Sequence, residues 1–295
     1  MSRQRAAAFV PGHVTAFFSA HPAERPAAAG SRGAGLTLAD GVTVRVSAAV
    51  ESRGNGPVGA RAVDGESGTI GAVEDALAGL DASGVDVAVE SDLPIGAGFG
   101  VSGAAALGAA LAANDLLDRG RSENELVRIA HEAEVGRGTG LGDVVAQARG
   151  GVPIRVEPGA PGLGELDGVP AGGRVEYVTF GELSTEAVLG SDTTALSAAG
   201  EDALDRLRAD PRLPTLMDAA REFAREADLL VPEVAEAIAA VDAAGDSSEG
   251  SDGLGAAMAM LGRTAFALGT GLSDAGYDPE VCRIDAAGAR LVEQQ

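Results

Sequence analysis

The chain is expected to fold as an α+β protein in two domains, and three stretches predict it. Val85-Asp86-Val87-Ala88-Val89 has the period-2 alternation of a half-buried strand. It runs into a loop containing Gly96, Gly98 and Gly100, then into Ala104 to Leu117, which is dense in strong helix formers and free of proline. Upstream, alternating runs surround Asp40-Gly41, a strong hairpin signal. Downstream, Glu157 to Gly173 is crowded with Gly and Pro and reads as a boundary, which places one domain over residues 1–160 and a second over 161–295.

Taken in order, Ala6 to Val10 reads as a strand ended by Pro11-Gly12, and Gly30 to Gly35 as a glycine-serine loop before the Leu36–Val46 hairpin. Glu51 to Gly68 reads as irregular surface, and Thr69 to Leu80 as a helix. Ser122-x-x-Glu125 is a capping box opening a helix through Val135. A short helix over Val144–Ala148, with Asp143 as candidate N-cap, precedes a strand over Val152–Val156. In the second domain Arg174 to Phe180 reads as a strand, Ser184, Pro211/Pro214 and Pro232 introduce helices, and Asp242 to Asp252 reads as an exposed acidic loop. Met258 to Leu268 reads as a buried strand.

Composition narrows the function classes. The hydrophobic share is 45% but only 3% is aromatic, so the core must be built from Ala, Val, Leu and Gly. There are 44 acidic and 22 basic residues, a net charge of −22, and every basic residue is arginine. A lysine-free acidic surface suits a cytoplasm of molar salt, where screening removes most self-repulsion. No basic stripe exists to neutralise phosphates, which disfavours nucleic acid as a partner. Cys282 is the one cysteine, and His13, His21 and His131 lack metal-ligand spacing. No apolar run approaches a membrane span, so the expected location is the cytoplasm.

The chemistry concentrates around Asp92 to Gly108. Glycines there allow positive φ and close approach of a ligand, and the first turn of the following helix offers free N–H groups and a positive dipole end to an anion. Gly98-x-Gly100-x-x-Gly103 also spells a dinucleotide fingerprint, but Asp115 and Asp118 fall too early for its ribose-binding acid, inside or at the end of the helix. A P-loop needs a lysine, and a nucleophile elbow would need glycine where Ala104 stands. A glycine loop that only lets the helix pack on a sheet is the bland alternative.

Pro94-Ile95-Gly96-Ala97-Gly98-Phe99-Gly100-Val101-Ser102-Gly103-Ala104 resembles the second motif of the GHMP kinase superfamily. Pro11–Phe18, Gly30–Gly35, Gly96–Gly103 and Ala133–Asp143 together resemble its archaeal pantoate-kinase branch. The likeness covers the first half of the chain, and the third motif is reduced to Gly262. It implies a two-domain GHMP kinase fold: an N-terminal ATP-binding α/β domain like a ribosomal-protein fold, and a C-terminal ferredoxin-like α+β domain. The implied reaction is ATP-dependent phosphorylation of pantoate to 4-phosphopantoate, a step toward coenzyme A. By resemblance, Pro94 and Gly96 to Ala104, with Ala97, Phe99, Val101 and Gly103 among them, wrap ATP, and Ser102 with Glu134 holds Mg²⁺, Glu132 being the alternative. Asp143 faces the reacting hydroxyl. His13 stands where the mevalonate branch has a lysine, and is either a substrate or phosphate contact or a donor to a backbone carbonyl. Arg32, with His13 or Arg137, is the candidate for the pantoate carboxylate, Arg32 through a bidentate contact, and Ser31 is a further substrate-binding candidate. Partners would be pantoate and ATP, with a homodimer allowed. The rivals are mevalonate, homoserine or shikimate kinases, a nicotinamide-dependent oxidoreductase, and a non-catalytic RNA-binding module.

Overall fold

Strands β1 (Arg5–His21) and β2 (Gly30–Ala48) dominate the computed structural model, which describes residues 4–49, 61–181, 192–246 and 254–293. They pair antiparallel along almost their whole length, which corrects three expectations. Pro11-Gly12 does not end the first strand, Asp40-Gly41 does not turn, and Gly30–Gly35 is strand, not loop. Pro11 lies opposite Gly41 and Gly12 opposite Leu38, so the register absorbs Ala39 and Asp40 as a bulge. Long-range pairing overrules the local turn chemistry. Gly33 and Gly35 are glycines because a Cβ there would lie 2.2 Å from the carbonyl oxygens of Phe17 and Val14.

β5 (Val85–Ser91) pairs antiparallel with the second half of β2 and parallel with β3 (Arg61–Val63), itself joined to β4 (Glu66–Ser67). The last part of the stretch expected to be irregular is therefore strand; residues 51–60 lie outside the described residues. β6 (Val152–Glu157) pairs with the start of β2 and with β7 (Glu165–Val169). β12 (Arg290–Val292) returns from the far end of the chain to pair with β1. The sheet order is β12-β1-β2-β5-β3-β4, with β6 and β7 branching from β2. β7 and β12, both beyond residue 160, thus join the first sheet through β6 and β1.

Helices α1 (Gly71–Gly79), α2 (Val101–Leu117), α3 (Glu123–Arg137) and α4 (Asp143–Arg149) accompany this sheet. α2 is buried along most of its length because its side chains are small; a Cβ on Gly108 would lie 2.6 Å from Val44 Cγ2. The Ser122–Glu125 capping box forms, with the Ser122 N–H donating to Glu125 Oε2 at 2.9 Å.

The second sheet is wholly antiparallel, ordered β11 (Glu280–Arg283), β8 (Arg174–Thr179), β10 (Thr264–Leu268), β9 (Ala256–Ala259). Met258–Leu268 is thus a hairpin and not one strand, with Leu261 in the left-handed region (φ 61°) at its turn. Helices α5 (Thr194–Ala209), α6 (Leu213–Glu226), α7 (Pro232–Asp246) and the short α8 (Gly271–Asp274) complete the described residues. Ser184 lies outside the described residues. Residues 242–246, expected to be loop, form the last turn of α7, and 247–252 lie outside the described residues. Among the described residues no helix is long and apolar enough to cross a membrane.

Candidate active site

The glycine loop between β5 and α2 is the floor of an open cleft of about 270 Å³. Gly98 has φ 91°, and a Cβ there would lie 2.9 Å from the Met260 carbonyl oxygen, so both its backbone and its surroundings require glycine. Gly100, in the left-handed region at φ 65°, is the N-cap of α2 and offers no side-chain cap. The first N–H groups of α2 therefore open toward the cleft, where an anion would meet them and the positive end of the helix.

The second sheet anchors this loop. Thr264 Oγ1 donates to the Ala97 carbonyl at 3.0 Å, and the Phe99 ring meets Tyr177 edge-on with centroids 4.9 Å apart. The His13 N–H donates to the Phe99 carbonyl at 3.0 Å. Gly262, read from sequence as a remnant, lies against Ala97 so closely that a Cβ would be 2.0 Å from its carbonyl oxygen. Gly96, Gly98, Phe99, Gly100, Val101 and Ser102 line the cleft. Pro94 is exposed away from it, while Ala97, Gly103 and Ala104 are buried behind it and shape the loop.

Glu134, from α3, reaches the cleft through a gap left by two glycines. A Cβ on Gly103 would lie 2.0 Å from Glu134 Oε2, and one on Gly140 would lie 2.8 Å from its carboxyl carbon. The side chain is 1% exposed and Oε2 has no hydrogen-bond partner. Burial, and then repulsion from Asp143, push its pKa from 4.5 up to about 8, against the pull of the Ser102 hydroxyl. An orphaned carboxylate oxygen beside a serine hydroxyl at the glycine-loop cleft fits a divalent cation. Glu132 is exposed, so Glu134 is the carboxylate of the pair that faces the cleft.

Asp143 is the first residue of α4 and not its N-cap; Gly142, at φ 98°, holds that position. Its carboxylate is therefore free, and Oδ1 accepts from His13 Nδ1 at 3.1 Å and Thr15 Oγ1 at 3.3 Å. Burial opposes ionisation of Asp143, but the His13 hydrogen bond and charge, with Arg155 and Thr15, outweigh it and hold the pKa below the usual carboxylate value. The His13 ring does not donate to a backbone carbonyl: Nδ1 pairs with Asp143 and Nε2 has no partner among the described residues.

A much tighter hollow of about 20 Å³ adjoins, lined by His13, Thr15, Ser31, Arg32, Asp143 and Arg155 among others. Asp143 and Thr15 line both spaces. Arg155 is buried; its NH1 donates to Leu141 O at 2.7 Å, Gly142 O at 3.1 Å and Ser31 Oγ at 3.0 Å, and its Nε has no partner. Burial draws its pKa down to about 10, against the pull of Asp143. Arg32 donates from Nε to Val156 O at 2.7 Å and from NH1 to Glu201 Oε2 at 2.5 Å. Arg137 is not brought in: it is exposed and grips Asp75 of α1 through two hydrogen bonds of 2.5 and 2.8 Å, so its fork is already filled. Sequence reasoning missed Thr15, Arg155 and Gln147, whose Nε2 donates to the Gly100 carbonyl at 3.0 Å. The signal for Arg155 was visible as a lone charge in the apolar run Val152-Pro153-Ile154-Arg155-Val156.

The nicotinamide alternative loses its scaffold. The loop follows β5, whose long neighbour β2 is antiparallel, whereas the dinucleotide fingerprint belongs to a parallel βαβ unit.

Residues 67–151 match the family model described as the GHMP kinases N terminal domain. The pantoate kinase of Thermococcus kodakarensis is 36% identical over 268 residues, covering 88% of this chain and 86% of that protein. The pantoate kinase of Methanospirillum hungatei is 32% identical over 278 residues, covering 91% and 89%. A solved structure described as a phosphotransferase related to the CoA biosynthesis pathway superposes with a TM-score of 0.81 at 30% identity, covering 98% of each chain. The chain belongs to the GHMP kinases. Within them it groups with the pantoate kinases.

Proposed function

We infer that the protein transfers the terminal phosphoryl group of ATP to the primary hydroxyl of pantoate, giving 4-phosphopantoate and ADP. The observation that carries the reading is the position of Asp143, whose ionised carboxylate stands where the glycine-loop cleft meets the smaller hollow. ATP would lie with its phosphates over Gly96–Ser102, and the acceptor would lie at the mouth of the hollow with its hydroxyl toward Asp143. Asp143 accepts the hydroxyl proton and orients the oxygen for in-line attack. His13 and Thr15 hold that carboxylate in place and keep it charged.

Ser102 and Glu134 would hold Mg²⁺, which when bound neutralises charge on the phosphates. With no lysine in the chain, the remaining positive charge comes from arginine and helix dipoles. Arg155, with its unpartnered Nε, and Arg32, which lines the same hollow, suit the pantoate carboxylate. The acid excess supports a cytoplasmic enzyme adapted to concentrated salt, without nucleic-acid or membrane partners, and a homodimer is compatible with the chain.

The test is ADP release in molar KCl with Mg²⁺-ATP and pantoate, mevalonate, homoserine or shikimate as acceptor. Turnover with pantoate alone is expected. Turnover with another acceptor and none with pantoate would leave a GHMP kinase of different specificity.

A further inference from the structure

We propose that Glu201 is a positioning residue for the acceptor: from α5 it fixes the guanidinium of Arg32 on the wall of the hollow and thereby sets selectivity for an acceptor that carries a carboxylate. The proposal deepens the pantoate-kinase reading and rests on it.

Glu201 is the meeting point of three side chains from β1 and β2. Ser19 Oγ donates to Oε1 at 2.5 Å, His21 Nε2 lies 3.0 Å from the same oxygen, and Arg32 NH1 donates to Oε2 at 2.5 Å. Ser19 is fully buried and Glu201 half-buried, so this is not a solvated surface pair. Burial opposes ionisation of Glu201, but Ser19, Arg32 and His21 outweigh it and hold the pKa below the usual carboxylate value.

The helix that carries Glu201 is itself fixed against the strand. A Cβ on Gly200 would lie 2.1 Å from the Phe18 carbonyl oxygen, so α5 sits as close to β1 as glycine permits. The Ala20 N–H donates to Ser197 Oγ at 3.1 Å one turn earlier. The strand side contributes the second anchor of Arg32, its Nε bond to Val156 O. Two anchors on two nitrogens fix the plane of the guanidinium, and its NH2 has no partner among the described residues. Arg32 lines the hollow together with Asp143 and Arg155.

A planar fork held from behind binds a carboxylate at a smaller cost in side-chain order than a free arginine does. Glu201 lies outside the four motifs that carry the family resemblance, and nothing in its local sequence marks it.

The test uses the full chain with Glu201→Ala, Arg32→Ala and the double variant, measured with pantoate and with its neutral carboxamide as acceptors. Arg32→Ala is expected to raise KM for pantoate about 100-fold, the scale of losing a hydrogen bond between charged groups. Glu201→Ala should raise it about tenfold, with KM for ATP and kcat within about twofold of wild type. The double variant should match Arg32→Ala, because Glu201 acts through Arg32. Preference for pantoate over the carboxamide should fall in all three. Multiplying effects, an equal rise in KM for ATP, or an unchanged acceptor preference would overturn the proposal. Should Glu201→Ala unfold, Glu201→Gln keeps the side-chain volume and should still lower the acceptor preference. Wild-type turnover decides the parent reading separately: without activity on pantoate that reading falls, and activity confined to acceptors lacking a carboxylate removes the role given to Glu201 as well.

Discussion

Replacing Glu134 by Gln perturbs one buried charge and little else, since the two side chains have nearly the same shape. In the folded protein without metal the Glu134 carboxyl ionises at about 8, and in the unfolded chain near 4.5. Between those values the folded state keeps a proton that the unfolded state has lost, so stability falls as pH rises through that window. Below 4.5 the penalty is absent, and above about 8 it is fully present. At about 1.4 kcal/mol per pH unit, the span corresponds to roughly 5 kcal/mol as a ceiling, which relaxation around the site reduces. Glu134→Gln removes the ionisation. Urea unfolding in EDTA and molar KCl should find variant and wild type similar at pH 4.5, and the variant more stable by about 2–5 kcal/mol at pH 9. Mg²⁺ should then raise the stability of the wild type, with proton release near neutral pH, and leave the variant unchanged. A difference between the two proteins that stays under about 1 kcal/mol from pH 4.5 to 9 would refute the buried-acid account of this site.

Three further outcomes follow from the same geometry. Asp143→Asn should lower kcat by a factor of about 10²–10⁴ and leave nucleotide affinity within about threefold, read by steady-state kinetics and by titration with a non-hydrolysable nucleotide; near-normal kcat would remove Asp143 from the chemistry. Gly103→Ala places a Cβ 2.0 Å from Glu134 Oε2 and 2.8 Å from Val144 Cγ2, and should cost about 1–3 kcal/mol in urea unfolding while weakening Mg²⁺ binding. Gly262→Ala drives into the Ala97 carbonyl, and should raise KM for ATP several-fold while leaving KM for pantoate unchanged.

Local physics made part of this molecule legible. The strand, glycine loop and helix of residues 85–117 follow from alternation, backbone freedom and propensity, all carried by neighbouring residues. The Ser122 cap is equally local, since both partners lie within one helical turn. The long β1–β2 ladder was not legible, because Pro11-Gly12 and Asp40-Gly41 each carry turn signals and only their pairing with one another cancels both. At the site, Asp143 and Glu134 stood out through the resemblance of Ala133–Asp143 to the family's motif. Arg155 and Thr15 acquire meaning only where β1, β2, β6 and α4 converge. Arg137 shows the converse: a charge beside the key loop whose helix turns it toward Asp75.

The pairing of β12 with β1 also bears on how the chain is made. β1 leaves the ribosome long before β12, yet β12 pairs with its Ala7–Phe9 segment, with Ala7 opposite Val292 and Arg290 stacked over the Phe9 ring. At about 5–20 residues per second, the roughly 270 intervening residues take on the order of 15–50 s to synthesise. Through that interval the nascent sheet presents an open edge to every other nascent chain nearby. In the concentrated salt to which the acidic composition points, repulsion between copies is largely screened, so protection of that edge falls to the late pairing of β12 itself.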